Sequence, residues 1–80
     1  MTTRRLKVIG GNLDGRHRVI VLCRSMAEFA ETVGMTLYHA RQHACETGNS
    51  EEVRQAMSDP GVAFIRRHDS RPGDPWVKLS

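Results

Sequence analysis

The chain of 80 residues has a mass of 9.0 kDa, and its 39% apolar and 26% charged residues are typical of one folded globular domain. A domain this small buries well under about 70% of the surface that its unfolded chain exposes, which leaves little material for a deep substrate cavity. Its formal net charge is +3 at pH 7. We therefore expect a single domain over residues 1–80 that is not an enzyme.

The first two elements are predicted to be an antiparallel hairpin. Residues 6–9 and 18–23 are rich in β-branched side chains, and the turn formers of residues 10–15 separate them. Lys7 and Arg5 share one face of the first strand, which predicts a basic, solvated face. The second strand is apolar on both faces at its centre, which predicts a central position in a sheet.

A helix is predicted to begin after Ser25. Ser25 and Glu28 have capping-box spacing, and Gly34 is suited to a left-handed C-cap. The side chains between them that recur at helical spacing form an apolar stripe of Met26, Phe29, Ala30 and Val33.

A second helix is predicted from an N-cap at Thr36 to about Glu46, followed by Gly48. Its apolar arc consists of Leu37, Tyr38, Ala40, Ala44 and Cys45. Arg41 falls inside that arc, so we expect it to pair with a carboxylate or to lay its stem across the core rim. We also expect Cys23 and Cys45 to be free thiols packed in the core, as in a reducing cytoplasm.

A third helix and a third strand complete the predicted order. Asn49 or Ser50 caps the helix, its inward side chains are Val53, Ala56 and Met57, and residues 59–61 end it in a tight turn. Residues 62–67 form a strand with a basic end, residues 69–75 a loop, and residues 76–79 either add an edge strand or pack Trp76 onto the body. The pattern ββαααβ predicts an α+β domain with a small, mostly antiparallel sheet covered by helices on one face.

Charge is divided unevenly along the chain. Residues 1–24 carry a net charge of +5, residues 25–59 of −4 and residues 60–80 of +2. Ten of the twelve cations are arginines, whose planar guanidinium suits bidentate contacts to carboxylate or phosphate. The strands are therefore predicted to be basic and the helices acidic.

Motifs for chemistry are incomplete. In the glycine run of residues 10–15, Arg16 and His17 replace the Lys and Ser/Thr of a phosphate-binding loop, so we interpret it as a turn. His39 and His43 have metal-ligand spacing, but no Glu follows His39 in the zinc-protease pattern, and we interpret them as an exposed pair. We predict no catalytic residues, no metal and no cofactor.

Residues 29–36 look like the core of a helix-turn-helix motif, with an alanine in the first helix and glycine at the turn. The match weakens in the second helix, where Ala40 and His43 stand at inward positions. The acidic charge of this stretch also opposes phosphate attraction. A helix pair that packs on a sheet is the alternative interpretation.

Residues 34–38, 46–49 and 60–64 resemble segments of small uncharacterised phage and prophage proteins. In size and single-domain plan the chain is also similar to phage anti-CRISPR proteins that act on multi-subunit type I systems. This resemblance implies a non-enzymatic inhibitor in the bacterial host cytoplasm, which docks on a CRISPR effector complex and blocks recruitment of target DNA or of the nuclease.

The sequence therefore favours a binding protein over an enzyme, with a host protein or nucleoprotein complex as partner and no membrane association. We predict that the partner contacts the basic residues Arg5, Lys7, Arg16, Arg18, Arg66 and Arg67. The second choice is an acidic face of Glu28, Glu31, Glu46, Glu51 and Glu52. The alternative function is a small helix-turn-helix-like regulator that binds DNA directly.

Overall fold

The structure is a computed structural model that describes residues 6–13, 15–71 and 73–79. Its elements follow one another in the order β1 (Lys7–Asn12), β2 (His17–Cys23), α1 (Met26–Val33), α2 (Leu37–His43), β3 (Ala44–Glu46), α3 (Ser50–Met57), β4 (Phe64–Arg67) and β5 (Val77–Lys78). The predicted site residue Arg5 lies outside the described residues, as do position 14 of the predicted hairpin turn and position 72 of the predicted loop.

Within the described part of the chain, the sheet has five strands in the order β3-β1-β2-β4-β5, and every neighbouring pair is antiparallel. The predicted α+β class, with a small antiparallel sheet packed against helices, is confirmed. The strand rich in apolar residues, β2, is central as predicted, and the segment around Trp76 does add an edge strand, β5.

The helices cover both faces of the sheet, which corrects the prediction of helices on one face. Val19, Val21 and Cys23 of β2 share a buried cluster with side chains of α1 and α2. The alternate residues Ile20 and Leu22 share a second cluster with α3 and β4. The physical reason is that β1 and β2 are apolar on both sides at their centres, so each side requires a cover.

The predicted helix caps are confirmed. The backbone N–H of Glu28 donates to Ser25 Oγ at 3.2 Å, and the C-cap of α1 is Gly34, whose φ of 89° is left-handed. The hydroxyl of Thr36 caps α2, and the side chain of Asn49 caps α3. The sequence signals for these helix starts are local, so the packing of the domain does not change them.

The second helix is shorter than predicted, because it ends at His43 and the chain continues directly as β3 along β1. The two glycines predicted to lie in a turn instead belong to β1, which extends to Asn12. A Cβ at Gly11 would lie 2.7 Å from Ala44 Cβ and 2.8 Å from the carbonyl oxygen of His43. Glycine is therefore what allows β3 to approach β1 this closely.

Three side chains lie outside the core in which the sequence placed them. Tyr38 is 73% exposed, Cys45 is an exposed free thiol on β3, and Met57 is 59% exposed. Arg41, which was expected to pair with a carboxylate or to lie across the core rim, is also exposed. Cys23, by contrast, is buried as predicted. The predicted inward arc of α2 assumed a helix through Glu46, and the turn into β3 rotates Cys45 away from it. No helix among the described residues is long and apolar enough to cross a bilayer.

Candidate interaction surfaces

Arg18 extends from β2 across β1 to reach α3. Its Nε and Nη2 donate to the two carboxylate oxygens of Glu52, and the hydroxyl of Thr47 donates to Glu52 Oε1 at 2.7 Å. Glu52 is only 5% exposed, although it is a charged residue. The guanidinium lies over Gly10, where any side chain would collide with it. This bidentate pairing of guanidinium and carboxylate links the sheet to α3.

Arg18 and Glu52 each stabilise the charged form of the other. The hydrogen bonds to Glu52 raise the pKa of Arg18. Burial opposes ionisation of Glu52, but hydrogen bonds from Arg18 and Thr47 outweigh it and hold the pKa of that carboxyl below its usual value. Arg18 and Glu52 belong to the two opposite sets that the sequence predicted as partner-binding, and in the structure they bind each other.

Arg66 is held in a second internal arrangement on the same face. It forms an ion pair with Glu51, its guanidinium lies 4.3 Å from the ring centroid of Trp76, and Nη1 donates to the Asp74 carbonyl oxygen at 3.4 Å. The backbone N–H of Gly73 donates to Glu51 Oε2 at 2.8 Å. This hydrogen bond and the one from Arg66 lower the pKa of Glu51. Arg66 and Glu51 therefore tie the segment before β5 to α3.

The remaining predicted basic residues are at different ends of the sheet. Lys7 is opposite Cys23, at one end of β2, whereas Arg67 is opposite His17 at the other end. Arg16 precedes β2 and lies near Arg67, so the structure brings together two members of the predicted basic set. The predicted basic residues that are described do not form one continuous face.

Arg16, Arg67, His68 and Asp69 line a shallow cleft of about 300 Å³, which we call the Arg16 cleft. The backbone N–H of His68 donates to the Arg16 carbonyl oxygen at 2.9 Å, which joins the turn after β4 to the loop before β2. Arg67 contacts Asp69 at 3.2 Å, with 71% and 70% of the two side chains exposed. An ion pair so exposed is worth only about 0.2–1 kcal/mol, so a partner's acidic group can replace Asp69 at little cost.

The predicted acidic face is also divided. Glu28 and Glu31 are exposed on α1, on one side of the sheet, and Glu46 is exposed on the edge strand β3. Glu51 and Glu52 belong to α3 on the opposite side and are bound to arginines. The described acidic residues therefore give no single surface that imitates a row of phosphates.

The outer side of α2 is a surface that the sequence predicted only in part, through the exposed pair His39 and His43. Tyr38 is 73% exposed, although the sequence placed it in the apolar arc, and Arg41 is exposed near it. Other exposed side chains of this helix are His39, Gln42 and His43. The seven residues of α2 include no Asp or Glu. Residues 34–36 join α1 to α2, and both helices pack on the sheet through Phe29, Ala30 and Ala40, as in the alternative interpretation of a helix pair that packs on a sheet.

A feature that the sequence did not predict is an open groove of about 850 Å³ between α3 and the end of the sheet remote from the Arg16 cleft. Its apolar lining includes Leu6, Val8, Leu22, Val53 and Met57. Leu6 and Met57, which line this groove, are both exposed. From the sequence, the helical pattern assigned Met57 to the core, and this is why the groove was missed.

Among the described residues, no group of three or more His, Cys, Asp or Glu side chains converges as metal ligands do. No family model, no curated protein and no solved structure matches this chain in comparisons with known proteins. The resemblance to phage anti-CRISPR proteins therefore stays a prediction.

Proposed function

We propose that this domain is a non-enzymatic inhibitor that docks on a nucleoprotein complex of a bacterial host and contacts it through the Arg16 cleft. The observation that carries the proposal is the grouping of Arg16, Arg67 and His68 around one exposed cleft. Arginine is enriched at protein interfaces, where its planar guanidinium can donate two hydrogen bonds to a single carboxylate or phosphate.

The internal ion pairs support the choice of this cleft among the predicted surfaces. Arg18 and Arg66 are engaged with Glu52 and Glu51, and detaching them would break these two ion pairs between the sheet and α3. Among the described residues, Asp69 holds the guanidinium of Arg67 in an exposed ion pair, so moving this guanidinium to a partner costs less than moving that of Arg18 or Arg66. Complementary charge on the partner would mainly speed association and select the partner.

We propose that the target is a type I CRISPR effector complex, because the chain is similar in size and single-domain plan to phage anti-CRISPR proteins. Occupation of the complex by this domain would block recruitment of target DNA or of the nuclease, and the domain would act stoichiometrically.

The test is co-purification from bacteria that carry a type I system, together with a phage-plating assay of interference. The wild-type chain should retain effector subunits and restore plating. Arg16→Glu combined with Arg67→Glu should abolish both effects, whereas the matched charge reversals Arg24→Glu and Arg54→Glu, at exposed sites away from the cleft, should not. Circular dichroism checks that both double variants are folded.

Two outcomes would contradict the proposal. If no subunit of a defence complex co-purifies and interference is unchanged, the inhibitor function is wrong. If the complex is retained equally by the cleft variant and lost in the control variant, the function stands but the Arg16 cleft is not its contact surface.

A second candidate function is direct DNA binding through α2. The observation that favours it is the exposed outer side of that helix, which offers Tyr38, Arg41 and Gln42 without a carboxylate. A fluorescence titration with duplex DNA at about 100 mM salt separates the candidates, because a regulator should bind with a steep salt dependence and a protein-docking inhibitor should not. Binding that Arg41→Ala abolishes and Arg67→Ala leaves intact would favour the regulator.

A further inference from the structure

His39 and His43 lie one turn apart on the outer side of α2. Both side chains are exposed, and their ring centroids are 4.5 Å apart with an interplanar angle of 36°. The spacing alone does not predict a metal site, since exposed histidine pairs are common on helices. In the structure, the two rings are also close to each other, and the fold fixes the backbone that carries them.

The backbone between the two histidines is fixed by the fold. Ala40, directly after His39, is fully buried in the cluster with α1, and the N–H of His39 donates to Thr36 Oγ1 at 3.1 Å. Ala44, directly after His43, pairs with Gly11 of β1. The fold therefore fixes the backbone that carries the two imidazoles, so that a bound metal ion has to order only the two side chains.

The distance between the rings fits two adjacent positions around one metal ion. A metal–nitrogen bond of about 2.1 Å places a ring centre about 3.2 Å from the metal, so rings at a right angle have centroids about 4.5 Å apart, whereas tetrahedral positions require about 5.2 Å. Right-angle coordination by nitrogen is typical of Cu²⁺ and Ni²⁺. His43 is also the last residue of α2, where the negative end of the helix dipole favours a cation.

We propose that His39 and His43 form a bidentate site for a tetragonal divalent metal ion of the Cu²⁺ and Ni²⁺ class. The two imidazoles supply adjacent ligands, and water completes the coordination shell. The site lies on the outer side of α2 and does not involve the Arg16 cleft.

Isothermal titration of the untagged chain with Ni²⁺ tests the proposal, because Ni²⁺ does not oxidise the exposed thiol of Cys45. We expect one ion per chain, and His39→Asn and His43→Asn should each weaken binding by at least about tenfold, because the second imidazole acts at a high effective concentration. His68→Asn, an exposed histidine elsewhere, and Cys45→Ser should each leave the affinity unchanged.

The same titration with Zn²⁺ tests the geometry, and we expect it to bind more weakly than Ni²⁺. The proposal is wrong if either α2 variant binds Ni²⁺ as tightly as the wild type, if His68→Asn or Cys45→Ser removes the binding, or if Zn²⁺ binds more tightly. Because Asn is tolerated at exposed helical positions, circular dichroism should show the same fold for every variant.

Discussion

Gly10 lies beneath the guanidinium of Arg18, and a methyl group at position 10 would stand 2.6 Å from Arg18 Nη2. Because position 10 of β1 has no side chain, Arg18 of β2 can pass over it and reach the buried carboxylate of Glu52 on α3. In a strand, glycine normally costs stability through backbone entropy and lost packing. At this position the cost is offset by the Arg18–Glu52 ion pair that glycine permits.

The first prediction concerns Gly10→Ala. Alanine should displace Arg18 and leave the buried Glu52 carboxylate poorly paired, so the free energy of unfolding should fall by about 1–3 kcal/mol. Urea unfolding measures this change. Gly48→Ala is the control, because a Cβ there meets nothing within 4 Å, and its effect should lie within about 1 kcal/mol of zero.

A double-mutant cycle identifies the cause. In an Arg18→Ala background the cost of Gly10→Ala should largely disappear, because the group with which alanine collides is gone. An unchanged cost in that background would show that the backbone of β1, and not Arg18, requires the glycine.

The second prediction concerns Gly11→Ala. A Cβ at Gly11 collides with the backbone of His43 and with Ala44, which are less able to move than the end of a long side chain. We expect β3 to separate from β1, so that amide hydrogens of residues 44–47 exchange at least about tenfold faster. Amides of the β2–β4 ladder provide the internal control, and equal acceleration in both places would indicate global destabilisation instead.

The third prediction is a pH dependence of stability. The pKa of Glu52 is lower in the folded chain than the ordinary value of about 4.3, so its stabilising effect is complete above that value and is lost as pH falls through the folded pKa. Glu52→Gln should therefore be less stable than the wild type at pH 6, and the difference should shrink on acidification toward pH 2. Urea unfolding at each pH measures the two free energies of unfolding. A difference between wild type and Glu52→Gln that stays the same from pH 6 to pH 2 would contradict this prediction.

The fourth prediction separates the two cysteines. Cys45 is exposed, whereas Cys23 is buried, and burial raises the pKa of the Cys23 thiol. A thiol reagent such as Ellman's reagent should modify Cys45 in the native protein at pH 8 and reach Cys23 only when the chain unfolds. Cys45→Ser should abolish the native reaction, and a rapid reaction of that variant would show that Cys23 is accessible.

The predictable part of the fold is that specified by neighbours in sequence. The starts of all three described helices and the central position of β2 follow from caps and apolar runs of a few residues, whereas the edge strand after Trp76 was one of two alternatives. Gly10 and Gly11 were misread because a glycine pair commonly marks a turn, and only the approach of Arg18 and Ala44 from distant parts of the chain explains their place in a strand.

The predicted surfaces depended on long-range pairing and were less accessible from the sequence. Arg18 and Glu52 are 34 residues apart, so a charge count assigned them to opposite surfaces instead of to one ion pair. The placement of α3 was partly foreseeable, because β2 is apolar on both faces and a sheet with two apolar faces needs two covers. The proximity of Arg16 to Arg67 follows from the β2–β4 register, which no local pattern specifies.

The lengths of the outer strands have a consequence for encounters between copies of the chain. The buried strand β2 has seven residues, but the edge strands β3 and β5 have three and two in the described part of the sheet. An edge recruits another chain through its unpaired N–H and C=O groups, and a short edge offers few of them. The most strongly apolar strand, β2, thus lies two strands inside either edge, and the short outer strands offer few unpaired groups on which a second copy of the chain could add a strand.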